Sequence, residues 1–168
     1  MDAIVYTSNA GSTEQYARLL SEKCGLPAFS LAEARRALVG GAEIIYLGWI
    51  MASSIKGYAK AAARYDVRAV CGVGMLPPGA QDELLRDKNA LGSAPLFPLR
   101  GDLDPARLHG AYKLAISIMI RAAGKGLSEK TDRTPEEDAL LDAIENRTGH
   151  ISPDGLAPII EWLGRERT

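Results

Sequence analysis

An α/β domain with a doubly wound, five-stranded parallel sheet and helices on both faces is what this sequence predicts. Three observations carry that expectation. Short apolar runs alternate with stretches of helical period along most of the chain, the pattern of parallel strands joined by helical crossovers. Two of the runs, Glu43–Gly48 (EIIYLG) and Arg68–Gly74 (RAVCGVG), are almost unbroken, as in strands covered on both faces. A loop of small and hydroxylated residues, Thr7–Thr13 (TSNAGST), follows the first run and precedes the first helical stretch, where such folds bind phosphate.

Taken in order, Ala3–Thr7 reads as the first strand. Thr13–Lys23 carries Tyr16, Ala17, Leu19 and Leu20 on a helical period, and Gly25-Leu26-Pro27 ends it. Ala28–Leu31 is a short second strand, Ala32–Leu38 a short helix, and Gly40-Gly41 a break before the third strand, Glu43–Gly48. Gly57–Tyr65 is helical, its alanines permitting close packing. Arg68–Gly74 is the fourth strand, Ala80–Lys88 a helix and Pro95–Leu99 the fifth strand. A longer helix is expected from about Asp104 to Ala123, then a charged, glycine-rich loop over Gly124–Arg133, with Gly124-Lys125-Gly126 stopping the helix. A C-terminal helical tail begins at about Thr134. There Thr134-Pro135-Glu136-Glu137 has the form of a capping box with proline at the first helical position. A last amphipathic helix, Gly155–Arg165, presents Leu156, Ile159, Ile160 and Leu163 to the sheet.

The 168 residues make one domain, 1–168, large enough for a substantial core. A hydrophobic content of 46% and a net charge of −1 argue against disorder and against a general nucleic-acid surface. The longest strongly apolar stretch, Leu114–Ile120, is too short to span a bilayer. The first strand begins at once, without a basic segment and cleavage site, so no secretory signal is expected. Cys24 and Cys71 lack metal-ligand or CxxC spacing, which favours reduced thiols in a cytoplasmic protein and no metal site.

Candidate binding residues lie at the carboxyl ends of the strands. In the first loop, Ser8, Asn9, Ala10, Gly11, Ser12 and Thr13 combine uncharged donors with a glycine that lets the backbone approach an anion. The helix beginning there adds first-turn N–H groups and a favourable dipole. After the third strand, Trp49, Ile50, Met51 and Ala52 form an apolar loop that calls for a flat apolar cover, or for burial of Trp49 beneath the loop. After the fourth strand, Gly74 and Met75 open a rigid turn running through Pro77-Pro78-Gly79. His109 and His150 read as solvated surface. Asp66, Asp102, Asp104 and Asp154 read as turn or cap residues. The apolar helix around Tyr112–Arg121 reads as packed on the sheet, the sharper alternative being a membrane-surface face that reaches a quinone.

The loop Ser8-Asn9-Ala10-Gly11-Ser12-Thr13-Glu14 resembles the phosphate loop of flavodoxins, commonly S/T-x-T-G-x-T, with Ala10 where threonine is usual and Ser12 where asparagine is common. Within that superfamily, Gly11–Ala17 is similar to the flavodoxin-domain branch that includes menaquinone-dependent protoporphyrinogen oxidases. The similarity returns at Phe97–Leu103, at Leu108 and from Tyr112 to Ile120. The resemblance implies a flavodoxin-like fold, strand order 2-1-3-4-5, and FMN bound at the switch point. Porphyrin chemistry is not implied, because Gln81–Ala94 lacks the longer basic, aromatic-rich insertion of the oxidases. The loop itself agrees with a monophosphate. It has neither GxxxxGK[ST] for a nucleoside triphosphate nor GxGxxG for a dinucleotide.

Two functions follow as expectations. One is an oxidoreductase passing electrons between a small molecule and a quinone or other acceptor. The other is an electron carrier serving a redox protein partner. In either, Lys56 and Arg100 are candidate cations beside the reduced flavin, while the cofactor carries the redox chemistry.

Overall fold

The computed structural model describes residues 1–101, 111–135, 137, 138, 141 and 151–166. Six strands form one sheet: β1 (Ala3–Thr7), β2 (Ala28–Ser30), β3 (Glu43–Met51), β4 (Ser54–Ile55), β5 (Asp66–Gly74) and β6 (Leu96–Arg100). The parallel strands lie in the order β2-β1-β3-β5-β6, and β4 pairs antiparallel with β3 alone. With β4 set aside this is the expected 2-1-3-4-5, the flavodoxin-like arrangement. The sheet reverses direction between β1 and β3, where Thr7 pairs with Gly48.

The helices are α1 (Ser12–Cys24), α2 (Leu31–Ala37), α3 (Tyr58–Ala62), α4 (Asp82–Asn89) and α5 (Ala111–Glu129). A 3-10 turn, Pro153–Leu156, then leads into α6 (Ala157–Glu166). Alternation along the strands sends side chains to two cores. Ile4, Ile45, Leu47, Cys71 and Leu99 meet Tyr16, Ala17 and Leu20 of α1 and Ile159 and Leu163 of α6. Val5, Ile44, Tyr46 and Val70 meet Ala34, Tyr58, Ala61 and Leu85 of α2, α3 and α4. Cys24 and Cys71 are free, and burial pushes the Cys71 thiol well up.

Two expectations change. The loop expected after the third strand is a β-hairpin: β3 continues to Met51, turns through Ala52 and Ser53, and returns as β4. Both turn residues have positive φ, 49° and 58°, the pattern of a two-residue turn that fits strand twist. Neither is the Asn or Gly that announces such a turn. The expected loop at 124–133 is helical as far as Glu129. Each glycine inside that helix costs about 1 kcal/mol relative to alanine, but Ala122, Ala123 and Leu127 continue the favourable pattern around them. In α5, Ile118 is 60% exposed. As expected, the last helix packs on the sheet: α6 covers its α1 side, with Ile159 fully buried.

The start of the tail is as expected. Thr134 N donates to Glu137 Oε2 at 2.9 Å and Glu137 N to Thr134 Oγ1 at 3.3 Å, closing the capping box. Asp102, Asp104, His109 and His150, the expected start of the long helix, and the side chains of residues 111–116 lie outside the described residues. Among the described residues no helix is long and apolar enough to cross a membrane, and no three His, Cys, Asp or Glu side chains cluster as a metal site.

Candidate functional site at the carboxyl edge of the sheet

After β1 the chain bends through Ser8, Asn9 and Ala10 into Gly11, the residue that caps α1. Gly11 has φ 97° and ψ −21°, a left-handed conformation that favours glycine. Its N–H donates to Ser8 Oγ at 3.2 Å, closing the bend. A Cβ at Gly11 would meet nothing within 4 Å, so the space over the helix start is open. Ser12 and Thr13, only 6% and 2% exposed, anchor the first turn beneath. Ser8 to Gly11 are the accessible rim. Glu14 in that turn would repel an anion, but Arg18 holds its carboxylate at 2.6 and 3.2 Å.

Glycines hold the neighbouring strands close to this loop. A Cβ at Gly101 would press on Val73 and come within 3.5 Å of Ser12 Cβ, so the chain leaving β6 passes tight against β5 and the start of α1. Gly101 N donates to Gly74 O at 2.8 Å. Tyr16 Oη donates to Arg100 O at 2.7 Å and accepts from Ser152 N at 3.1 Å, tying α1 to the end of β6. Burial chiefly raises the Tyr16 pKa.

The hairpin rises beyond the end of β1. Ile50 folds over Gly72 and Gly74, where a Cβ would lie 3.0 and 3.1 Å from Ile50 Cδ1. Strand alternation puts Trp49 on the opposite, α1-facing side, paired with Val73. Trp49 is partly buried, and neither core cluster of described residues includes it. Asn89 of α4 clasps the hairpin: its Oδ1 accepts from Ile55 N at 2.7 Å, and its Nδ2 donates to Ser53 O at 2.9 Å. Lys88 Nζ donates to Ala52 O at 2.6 Å. Left-handed backbone at Ala52 and Ser53 costs about 1–2 kcal/mol each, which these bonds offset. No sequence signal marks Asn89 as a clasp, since its partners on the hairpin are backbone atoms more than thirty residues away.

Tyr46 completes the edge. Its hydroxyl lies 2.8 Å from Thr7 Oγ1 and 2.6 Å from Lys56 O. The carbonyl only accepts, so the tyrosine proton goes to Lys56 O and the Thr7 hydroxyl donates to Tyr46. Burial drives the Tyr46 pKa up to about 12.

Ser8–Thr13 and the ends of β3, β5 and β6 thus meet along one edge, with Lys56 and Arg100 both partly buried there. A cleft lies elsewhere on that edge, over β1 and β2. It has a volume of about 670 Å³, and Ser8 is the one residue of the predicted binding set that lines it.

No family model and no curated protein matches the chain. The flavodoxin resemblance therefore rests on the Ser8–Glu14 loop, the similar stretches farther along the chain, and the strand order.

Proposed function

We propose that the domain binds FMN at the carboxyl edge of its sheet and works as a redox protein, an oxidoreductase passing electrons from a small molecule to a quinone or other acceptor. The observation that carries the reading is Gly11: left-handed, with open space above it, at the N-terminus of α1 and beside the β1/β3 switch point. That is where a phosphate meets backbone donors and the positive end of a helix dipole.

The residues present fit the group. Ser8, Asn9, Ala10 and Gly11 offer the phosphate an open rim, and Ser12 and Thr13 hold the turn that shapes it. Trp49, Ile50, Met51 and Ala52 stand beyond the end of β1, with Gly74 and Met75 at the end of the neighbouring β5, as walls for a flat ring. Lys56 and Arg100 supply positive charge near that edge. When bound, the isoalloxazine supplies hydride or single-electron transfer. The chain's share is binding, orientation and charge.

An electron carrier serving a redox protein partner is the second reading. One observation favours it: neither Trp49, Met51, Gly74 nor Met75 lines the cleft over β1 and β2, so a ring held by them would leave its edge open to a partner surface. A cytoplasmic location suits either role. The test is an absorption titration of purified protein with FMN and with riboflavin. A flavin spectrum with tighter binding of FMN supports the reading, and equal affinities overturn the phosphate loop. Reduction of a soluble quinone by the loaded protein separates enzyme from carrier.

A further inference from the structure

The cleft over β1 and β2 carries a charge pattern that the flavin reading does not use. Arg35 and Arg36 of α2 and Lys60 of α3 line it, together with the hydroxyl-bearing Tyr6, Ser8 and Ser30. Among the described residues no carboxylate lies within 4.0 Å of any of these three cations. Glu14 is the acid on the lining, and Arg18 already pairs with it at 2.6 Å. Arg35, Arg36 and Lys60 put three positive charges around one concavity, of which Arg36 also interacts with Glu33 of its own helix, and a bound anion offsets the remaining positive charge. The chain as a whole carries a net charge of −1, so this local excess is not a by-product of a basic protein.

We infer that this cleft is a second anion site, taking a phosphate monoester of nucleotide size. A single carboxylate would leave two of the three cations uncompensated, whereas a phosphate monoester is a dianion with three acceptor oxygens. Arginine matches those oxygens with its planar fork and lysine with a point charge. The volume of about 670 Å³ lies in the range of sites for molecules of that size. Leu31 and Ala32 on the lining give its uncharged part an apolar floor. The site touches the FMN loop at Thr7, Ser8 and Glu14 and shares none of the hairpin or β5 residues, so it stands whether or not the flavin reading does.

Calorimetric titration of the full chain tests it, with AMP, inorganic phosphate, adenosine and succinate as probes. AMP is expected to bind with an affinity that falls as salt rises, inorganic phosphate more weakly, and adenosine not at all. Arg35→Gln, Arg36→Gln and Lys60→Gln are each expected to weaken AMP about tenfold or more, the loss of a charge-assisted contact. All three residues are exposed, so the variants should fold, which circular dichroism verifies. Arg165→Gln, an exposed change on α6, serves as the charge-matched control and leaves AMP binding intact. Adenosine or succinate binding as tightly as AMP overturns the phosphate assignment, and inorganic phosphate matching AMP overturns the nucleotide size. The cleft assignment falls if AMP binds undetectably at millimolar concentration, or if the three variants bind it like the parent. Repeating the titration with FMN present separates the two sites: retention of AMP binding is expected, and its stoichiometric displacement by FMN overturns a second site.

Discussion

Tyr46 Oη lies 2.8 Å from Thr7 Oγ1, across the strand pair on which the sheet reverses direction. Glycines make the contact sterically possible. A Cβ at Gly48 would come 3.0 Å from Tyr46 Cε1, so the bare Gly48 lets the ring run along β3 toward its carboxyl end. A Cβ at Gly57 would collide with both Tyr46 Oη and Thr7 Oγ1. The end of β1, the strand β3 and the entry to α3 are therefore locked by one hydroxyl.

Tyr46→Phe removes that hydroxyl and leaves the partly buried Lys56 carbonyl without its donor, an expected loss of about 1–3 kcal/mol. Urea denaturation should show a lower midpoint at unchanged slope. The pH dependence carries a second signature. The folded pKa of about 12 lies above the ordinary tyrosine value of 10.0, so the folded state holds the proton more tightly. The stability this contributes is complete below pH 10 and is lost between roughly pH 10 and 12, on the order of 2–3 kcal/mol. In Tyr46→Phe that part of the alkaline loss should vanish. What persists should come from Cys71, Tyr6, Tyr16 and Tyr58, whose values burial also raises.

Gly11→Ala and Gly25→Ala form a matched pair. Both glycines have positive φ, 97° and 73°, and open space where a Cβ would go. Each alanine should cost about 1–2 kcal/mol of stability through backbone strain alone. Only Gly11→Ala should also weaken FMN, since Gly25 caps the far end of α1. Equal FMN affinities in the two variants would remove Gly11 from the site.

Asn89→Ala should release the hairpin. Losing its bonds to Ile55, Ser53 and Leu85 is expected to cost about 1.5–4 kcal/mol and to raise amide exchange selectively at Ile55. If the hairpin walls the ring, flavin retention falls as well. Unchanged exchange at Ile55 would show that β4 holds without the clasp.

Trp49 emission should be quenched when FMN binds. Trp162 packs against the α1-side core, its ring centroid 6.0 Å from that of Phe97, and contributes a constant background, so Trp162→Phe is the cleaner host. Trp49→Ala should loosen FMN more than the core change Ile45→Val does. Emission from Trp49 that ignores FMN argues against contact with the ring.

Lys56→Gln and Arg100→Gln address the electronics. A cation near the ring stabilises the anionic reduced flavin, so each neutralisation should lower the midpoint potential. Spectroelectrochemical titration reads this directly. Two variants matching the parent in both potential and quinone-reduction rate would place neither residue at the ring.

The sequence alone determined the features whose causes are local. Apolar runs with β-branched residues marked the strands of the parallel sheet, and helical period marked α1, α4 and α6. Thr134 and Glu137, three residues apart, announced the capping box that both hydrogen bonds close. The Ser8–Thr13 loop declared its place because a strand, a glycine bend and a helix start are neighbours in the chain. Tertiary structure decided the rest. Ser54–Ile55 is too short to read as a strand, and it forms because Gly48, Gly72 and Gly74 leave room for Ile50 and Ile55 while Asn89 clasps the turn. Amphipathic period marked α6 as a helix that packs on the sheet, and the structure decided that it covers the α1 face. Arg35, Arg36 and Lys60 are ordinary exposed residues along the chain, and only the packing of α2 and α3 beside β1 makes them one cationic cleft. Periodicity and caps act over three or four residues, whereas convergence of side chains depends on contacts between segments far apart in the chain.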